Sequence, residues 1–226
     1  KKVPFYGATY LPLDQFKYVL NNINRLWLQE RDKIDNNCLQ VEQVMQSQAD
    51  QAYKAPRYAL GLDTLQRAKP MLSQYFDFEW GGNQAKQKFP PHALLFYLVH
   101  YYKGSEKEPT IKEMIKITLD SMMAGGFHDI AGGGFHRYAT DHCWFLPHFE
   151  KMLYDNAQLA EVYTRAHEIF PESGYDRVAN RIFDWVEREM TSPDGAFYSA
   201  QDADTEGEEG KYYTWDTNEI DTLLGE

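Results

Sequence analysis

Two near-copies of the phrase GGFH, at residues 125–128 and 133–136, constrain the fold of this chain more than any other feature. Glycine is favourable where the backbone needs a positive φ or a close approach, and it destabilises the interior of a plain helix or strand. The two phrases therefore predict shaped loops, with positive φ at Gly132, Gly133 or Gly134, that direct the side chains after them. Residues 125–156 also contain four of the seven histidines. We predict a functional site in this stretch.

Composition and charge exclude several classes of protein. Hydrophobic residues make up 43% of the 226 residues and aromatic residues 15%, which is enough to build a core. The net charge of −11, without any run of Lys or Arg, argues against binding to nucleic acid or to an anionic membrane surface. No apolar run approaches the ~18 residues of a membrane span. Cys38 and Cys143 form no CxxC motif, which indicates free thiols and predicts a cytoplasmic protein.

The first 60 residues predict a short extended segment followed by two helices. The phrase VPFYGATYLP, residues 3–12, is β-rich and contains a glycine turn. Residues 14–31 carry Phe16, Leu20, Ile23 and Trp27 at helical spacing, and residues 36–53 repeat that spacing with Val41, Met45 and Ala49.

The remaining residues predict a mainly helical domain. Thr110 and Glu113 have the spacing of a capping box, and Gly125 is a stop for the helix that follows them. Beyond residue 195, the pattern predicts a hairpin with an acidic tip and then a short helix capped by Asp216 or Thr217 with Glu219. Four longer helices are predicted, at residues 91–102, 110–124, 149–170 and 173–190.

Two longer phrases carry a family resemblance. TLDSMMAGGFHDIAGGGFHRYATDHCWFLPHFEKMLYDNAQL, followed by FYSAQDADTEGEEGKYYTW, closely resembles the YyaL family of thioredoxin-domain-containing proteins related to spermatogenesis-associated protein. In that family, a thioredoxin-like domain precedes an (α/α)6 toroid similar to the N-acylglucosamine 2-epimerase and six-hairpin glycosidase folds. One local difference lies at residues 81–90, which read GGNQAKQKFP where relatives tend to have GGFG followed by APKFP.

The resemblance implies a division of the chain near residue 60. Residues 1–60 would be the C-terminal remnant of the thioredoxin-like domain plus a linker helix, because residues 3–12 match the strand and turn near the end of that domain. Residues 61–226 would be the N-terminal part of the toroid. A complete ring needs twelve helices and only about six are predicted after residue 60, so the upstream domain and the downstream half of the toroid are expected partners in the complete protein.

The predicted helix from Phe149 contains the best-defined candidates for chemistry. At 100° per residue, one arc of this helix holds Glu150, Lys151, Tyr154, Asp155 and Gln158. Such an arc is either a solvated stripe or the polar lining of a sugar-binding funnel, and the sequence favours neither. His148, beside Glu150 at a helix N-terminus, suits proton transfer.

The sequence gives little support for a metal or a cofactor. No pair of the four histidines has i, i+4 spacing on one helix, so no metal site is predicted. The acidic segment from Asp202 begins like a calcium-binding loop, but Tyr213 stands where that loop requires a glutamate. No phosphate-binding motif is present, and we predict no cofactor. The predicted hairpin tip, Glu206, Glu208 and Glu209, is interpreted as solvated surface.

The leading functional hypothesis is carbohydrate binding or conversion of the epimerase or isomerase type, with a small sugar-like ligand. The predicted catalytic residues are His148, which would move a proton, with Glu150 and Asp155 orienting it. The predicted sugar-binding residues are Arg137, His136, Trp144, Tyr154, Asp202 and Asp204. We predict that His148, Glu150, Asp155, Arg137 and Asp202 converge on one concave surface.

Two other hypotheses remain open. One is a noncatalytic or redox-linked interaction module, in which the polar residues only hold loops together. The other is glycoside hydrolysis, which needs a carboxyl pair ~5 to ~9.5 Å apart, for which Glu150 and Asp202 are the candidates.

Overall fold

A computed structural model describes residues 3–54, 62–104 and 107–225. The chain divides into two compact units, Lys1–Leu60 and Gly61–Glu226. In the first unit, helices α1 (Leu13–Gln29) and α2 (Arg31–Lys54) pack on each other. Both helices were predicted, but their apolar faces are largely exposed: Phe16, Trp27 and Met45 are each about half accessible.

Residues 3–12 form no strand, so the β prediction for this phrase is wrong. A strand is stable only when a neighbouring strand takes its backbone hydrogen bonds, and the described part of this unit contains none. Instead, the Asn37 side chain donates a 2.7 Å hydrogen bond to the carbonyl oxygen of Phe5.

The second unit is built from helices. In the described residues there are six, half of the twelve in a complete ring: α3 (Leu62–Tyr75), α4 (His92–Gly104), α5 (Pro109–Ala124), α6 (Leu153–His167), α7 (Tyr175–Glu189) and α8 (Thr217–Leu224). Helix α4 packs on both α5 and α6, and α6 packs on α7. Within the described ranges, no helix combines the length and the apolar character needed to cross a membrane.

Apolar residues at helical spacing form the core of this unit. On α7, Val178, Ile182 and Trp185 are buried as their spacing predicts. Tyr163 of α6 is fully buried, and its hydroxyl donates to the carbonyl oxygen of Leu119 on α5 at 2.8 Å. This hydrogen bond satisfies the one polar group that the tyrosine brings into the core.

The short strands lie in three antiparallel pairs. These are β1 (Tyr138–Ala139) with β2 (Pro147–His148), β3 (Lys151–Met152) with β4 (Ala200–Gln201), and β5 (Asp204–Thr205) with β6 (Glu208–Glu209). The last pair is the predicted acidic hairpin. It is followed by α8, where Asp216 and Glu219 form the predicted capping box.

Two predicted helix starts are wrong. Helix α5 begins at Pro109, with no side-chain cap, so Thr110 and Glu113 do not form a capping box. Helix α6 begins at Leu153 rather than Phe149, because Lys151 and Met152 pair with β4. Lys151 therefore lies in a strand and Glu150 directly precedes it, and neither shares a helical face with Tyr154.

A buried lysine organises the loop after α3. Lys88 is 0% exposed, and its Nζ donates to the Asp77 carboxylate at 2.6 Å and to the Gly81 carbonyl oxygen at 2.6 Å. The ammonium group also lies 5.7 Å from the centre of the Trp144 ring. The ion pair with Asp77, the hydrogen bonds and the contact with the Trp144 ring together offset the free energy that the ammonium group loses on leaving water.

The GGFH loop repeats this arrangement with other residues. Lys151, 1% exposed, donates to the Asp129 carboxylate at 2.6 Å and to the Gly133 carbonyl oxygen at 2.8 Å. Its ammonium group lies 5.3 Å from the centre of the Trp185 ring. The second unit thus uses one loop design twice, although the two lysines lie at different distances from their aspartates in the sequence.

In both loops, the fourth and fifth residues after the aspartate are glycines with positive φ. The values are 73° and 71° at Gly81 and Gly82, and 86° and 79° at Gly133 and Gly134. The predicted positive φ in the GGFH loop is therefore confirmed. The conformation brings the backbone against a tryptophan, since a Cβ on Gly134 would lie 3.1 Å from the Trp185 ring.

Candidate functional site

The candidate site is assembled by the pairing of β1 with β2. The register sets Tyr138 opposite His148, and their rings stack with centroids 5.0 Å apart. The intervening loop is held by the Asp141 carboxylate, which accepts backbone hydrogen bonds from Cys143, Phe145 and Leu146. Those bonds favour the charged carboxylate and keep the pKa of Asp141 below its ordinary value, although partial burial opposes them. The pairing of β1 with β2 and the hydrogen bonds to Asp141 therefore hold His148 in place.

Two carboxylates lie near the two nitrogens of His148. Nδ1 lies 2.6 Å from Glu209 Oε1, and Nε2 lies 3.7 Å from Glu150 Oε2. An ionised carboxylate only accepts hydrogen bonds, so Nδ1 carries the proton that Glu209 receives. In the neutral imidazole, the Nε2 lone pair is then left available as a base. The His148 side chain is 25% exposed, so a small molecule can reach it.

Arg137 and Glu150 form the charged pair beside His148. Arg137 Nη1 donates to Glu150 Oε2 at 2.5 Å, and the Arg137 backbone N–H donates to the Glu150 carbonyl oxygen at 2.7 Å. The hydrogen bond with Glu150 raises the pKa of Arg137, and Tyr154 contributes in the same direction. We call Arg137, His148, Glu150 and Glu209 the His148 cluster.

Asp155 is buried in the first turn of α6, where the charges of Arg137 and Glu150 act on it. Burial raises the pKa of its carboxyl to about 6, the negative charge of Glu150 adds to the effect, and the positive charge of Arg137 opposes it. A carboxyl that titrates near neutral pH is uncommon outside functional sites. Asp155 therefore interacts electrostatically with Arg137 and Glu150 of the His148 cluster, although its side chain is buried.

The structure brings together part of the predicted site. Arg137, His148 and Glu150 are in contact, and Tyr154 lies beside Arg137 with about half of its surface exposed. Asp202 is exposed, and its carboxylate accepts a 3.2 Å hydrogen bond from the backbone N–H of Asp204. Asp204 pairs with Glu209 through the backbone of β5 and β6, whereas the described contacts of the Asp202 side chain include no residue of the His148 cluster.

Two predicted sugar-binding residues belong to the interior instead. Trp144 is 0% exposed, and its Nε1 donates to the Trp80 carbonyl oxygen at 2.9 Å. His136 is also buried, with Nδ1 3.0 Å from the Phe149 carbonyl oxygen, and burial lowers its pKa to about 4. Direct contact of either side chain with a sugar is excluded in this arrangement, so both predictions are corrected.

Sequence reasoning missed two residues of this region. Glu209 was interpreted as part of a solvated tip, yet it orients His148 across 61 positions of the chain. The sequence pattern does not single out His92, at the start of α4, yet its Nε2 lies 3.5 Å from Asp155 Oδ1. No local pattern marks either residue, because each contact depends on how distant segments fold together.

Comparison with known proteins supports the fold. No protein-family model matches the chain. The chain is 34% identical over 239 aligned positions to human spermatogenesis-associated protein 20. This alignment covers 99% of the chain and 30% of that protein. The chain thus spans about 30% of the length of this relative.

Solved structures are similar to about three-fifths of the chain. A sugar epimerase from a ruminal bacterium aligns with 59% of this chain and 37% of its own, at a TM-score of 0.53 and 16% identity. Cellobiose 2-epimerase from Spirochaeta thermophila aligns with 62% of this chain and 40% of its own, at a TM-score of 0.50 and 17% identity. The chain has a mainly α fold, the fold of part of an (α/α)6 toroid.

The titration of Asp155 and His136 predicts opposite effects of pH on folding stability. The folded pKa of Asp155, about 6, is above its ordinary value of 3.8, so the folded state binds more protons between those values and stability falls as pH rises from 4 to 6. The folded pKa of His136, about 4, is below its ordinary 6.5, so its contribution rises with pH between 4 and 6.5. Variants of Asp155 and of His136 should show the two effects separately.

We expect the free energy of unfolding of the wild type, minus that of Asp155→Asn, to fall by up to about 3 kcal/mol between pH 4 and pH 7, at about 1.4 kcal/mol per tenfold change in proton affinity. The corresponding difference for His136→Gln should rise over the same range. Urea unfolding at pH 4, 5.5 and 7 measures both. Parallel stability curves for the wild type and the two variants would show that neither group titrates as described.

Proposed function

We propose that the second unit binds a reducing sugar and converts it by proton transfer, as an epimerase or isomerase does. The observation that carries this proposal is the orientation of His148. Glu209 fixes the proton on Nδ1, so the accessible Nε2 is a base beside Arg137 and Glu150. The likeness of the fold to two sugar epimerases supports the choice of substrate class, as an analogy of fold.

The proposed step removes a proton from the carbon next to the sugar carbonyl. His148 Nε2 takes the proton, the C–H electrons form a C–C double bond, and the carbonyl electrons move to oxygen to give an enediolate. Arg137, half-buried and positively charged, stabilises that negative oxygen. Return of the proton from His148 to the neighbouring carbon gives the isomer, whereas the epimer requires a second acid that protonates the opposite face of the same carbon. No redox partner is needed, because one proton leaves and one returns.

Deuterium exchange tests this step directly. We expect the protein in D2O to replace the C2 hydrogen of a reducing sugar with deuterium and to form its epimer or isomer, as followed by proton NMR. Glucose, mannose, N-acetylglucosamine and cellobiose form a suitable panel. Binding without exchange would favour the noncatalytic module. Release of a monosaccharide from cellobiose would favour glycoside hydrolysis.

A matched pair of histidine variants assigns the base. We expect His148→Asn to slow exchange by about 10²- to 10⁴-fold, the usual contribution of a general base. His142→Asn is the control, because His142 is an exposed residue of the same β1–β2 loop and lies outside the His148 cluster. Equal rates for both variants and the wild type would remove His148 from the mechanism.

We also propose that Lys1–Leu60 is the C-terminal remnant of a thioredoxin-like domain plus a linker helix, as the family resemblance implies. The match to human spermatogenesis-associated protein 20, which covers 99% of this chain, supports a common architecture. An experimental structure of that longer relative tests the proposal. The segment matching α1 and α2 is expected to pack on a thioredoxin-like sheet, and its packing elsewhere would contradict the assignment.

We place the protein in the cytoplasm, since Cys38 and Cys143 are free thiols, and cell fractionation tests this.

A further inference from the structure

His92 and Asp155 form a buried pair that the proton-transfer step above does not use. The His92 side chain is 14% exposed and the Asp155 side chain is 7% exposed, with Nε2 and Oδ1 3.5 Å apart. Among the residues that the structure describes, His92 Nε2 is a buried nitrogen without a hydrogen-bond partner. A buried polar atom left unpaired is destabilising, so a partner for Nε2 is expected.

One proton satisfies both groups. Burial raises the pKa of Asp155 to about 6, so its carboxyl is protonated in half of the molecules at pH 6 and in most of them below that pH. Burial also lowers the pKa of His92, which favours its neutral form in the same range. A neutral Asp155 carboxyl donates through its O–H, and a neutral His92 with its proton on Nδ1 accepts through Nε2. In this arrangement, His92 Nε2, which otherwise lacks a partner, accepts the hydrogen bond from Asp155.

The charged groups that face Asp155 give the pair its effect on the site. Arg137 and Glu150 both lie within electrostatic range of the carboxyl. When Asp155 is neutral, the Arg137 charge is balanced by Glu150 alone. When Asp155 ionises, Arg137 is attracted by two carboxylates, Glu150 and Asp155. The balance of charge beside His148 then changes.

We propose that His92 is a positioning residue of the His148 cluster, which holds the proton of Asp155 through a buried carboxyl–imidazole hydrogen bond and so keeps Arg137 paired with Glu150. This inference rests on the proposed proton-transfer function for its consequence in catalysis. The hydrogen bond itself is independent of any substrate. The two parts are therefore tested separately.

The first arm follows the Asp155 carboxyl by carbon NMR of protein labelled with ¹³C-aspartate. In His92→Gln, the side-chain amide donates to the ionised carboxylate, so the titration midpoint of Asp155 should shift to lower pH. His100→Gln on the same helix is the matched control, because His100 is exposed, and it should leave the midpoint unchanged. An unchanged midpoint in His92→Gln would overturn the proposal.

A second variant covers the case in which His92→Gln does not fold. Asp155→Asn retains a donor at the same place, so His92 should keep its Nδ1–H tautomer, which nitrogen-15 imidazole shifts report. A wild type or variant with the proton of His92 on Nε2 would contradict the hydrogen bond.

The second arm measures the pH profile of deuterium exchange into the sugar that the wild type converts best. The high-pH limb of that profile should move to lower pH in His92→Gln and remain in place in His100→Gln. A shift of the carboxyl titration without a shift of the profile would overturn the positioning role. Absence of exchange in the wild type would instead remove the proposed function, and with it the catalytic role of His92, while the first arm still decides the hydrogen bond.

Discussion

Lys151→Met should destabilise the protein by about 3 to 5 kcal/mol, the range for removing one partner of a buried ion pair. The side chain of Lys151 is 1% exposed and that of Asp129 is 10% exposed, and the two form a 2.6 Å contact. Without the ammonium group, the Asp129 carboxylate loses its charged donor and keeps the Gly132 backbone N–H, while the Gly133 carbonyl oxygen loses the donor from Lys151. The free energy of urea unfolding measures the loss.

Two further variants control for side-chain size and for the charge left alone. Lys116→Met removes an exposed lysine paired with Asp120 at 2.5 Å, and it should cost no more than about 1 kcal/mol. Asp129→Leu combined with Lys151→Met should recover much of the loss, because no unpaired charge remains. A Lys151→Met protein as stable as Lys116→Met would show that the buried pair contributes nothing.

Gly133→Ala should cost more than about 3 kcal/mol, since it combines two separate penalties. A positive φ disfavours an L side chain by about 1 to 2 kcal/mol, and φ at Gly133 is 86°. An added Cβ would also lie inside contact distance of the Arg181 carbonyl oxygen, a backbone atom that cannot rotate away. Thermal and urea unfolding report the combined effect.

Gly195→Ala separates the two penalties. Gly195 has a similar φ of 80°, and nothing lies within 4 Å of an added Cβ. We expect this variant to lose only the conformational part, about 1 to 2 kcal/mol. Equal losses at both positions would mean that the GGFH loop moves to relieve the contact with Arg181, and that its shape does not depend on close packing.

The helices of the second unit were largely predictable from sequence, while some of their ends were not. Helix α7 follows from the spacing of Val178, Ile182 and Trp185, which is a local pattern. The start of α6 was misplaced because Lys151 pairs with Gln201, fifty positions later. A strand of two residues has almost no signature of its own. Only the partner that takes its hydrogen bonds makes it a strand.

The candidate site shows the same division. Arg137, His148 and Glu150 lie close together in the sequence, and the chemistry of their side chains singled them out before any coordinates. Glu209 and His92 were not predictable, because their contacts with His148 and Asp155 join segments from different parts of the chain. Trp144 and His136 were misassigned for a related reason: a polar or aromatic side chain in a functional motif can face the interior as well as the site.

The sequence by itself determined the helices, the glycine loops and the polar residues available to the site. These follow from backbone preferences and side-chain periodicity over a few neighbouring residues. Tertiary structure decided which carboxylate orients His148, which lysines are buried and which aspartate titrates near neutral pH. The physical reason is that burial and ion pairing depend on distances between remote residues, and removal from water turns an ordinary Asp155 into a carboxyl with a pKa of about 6.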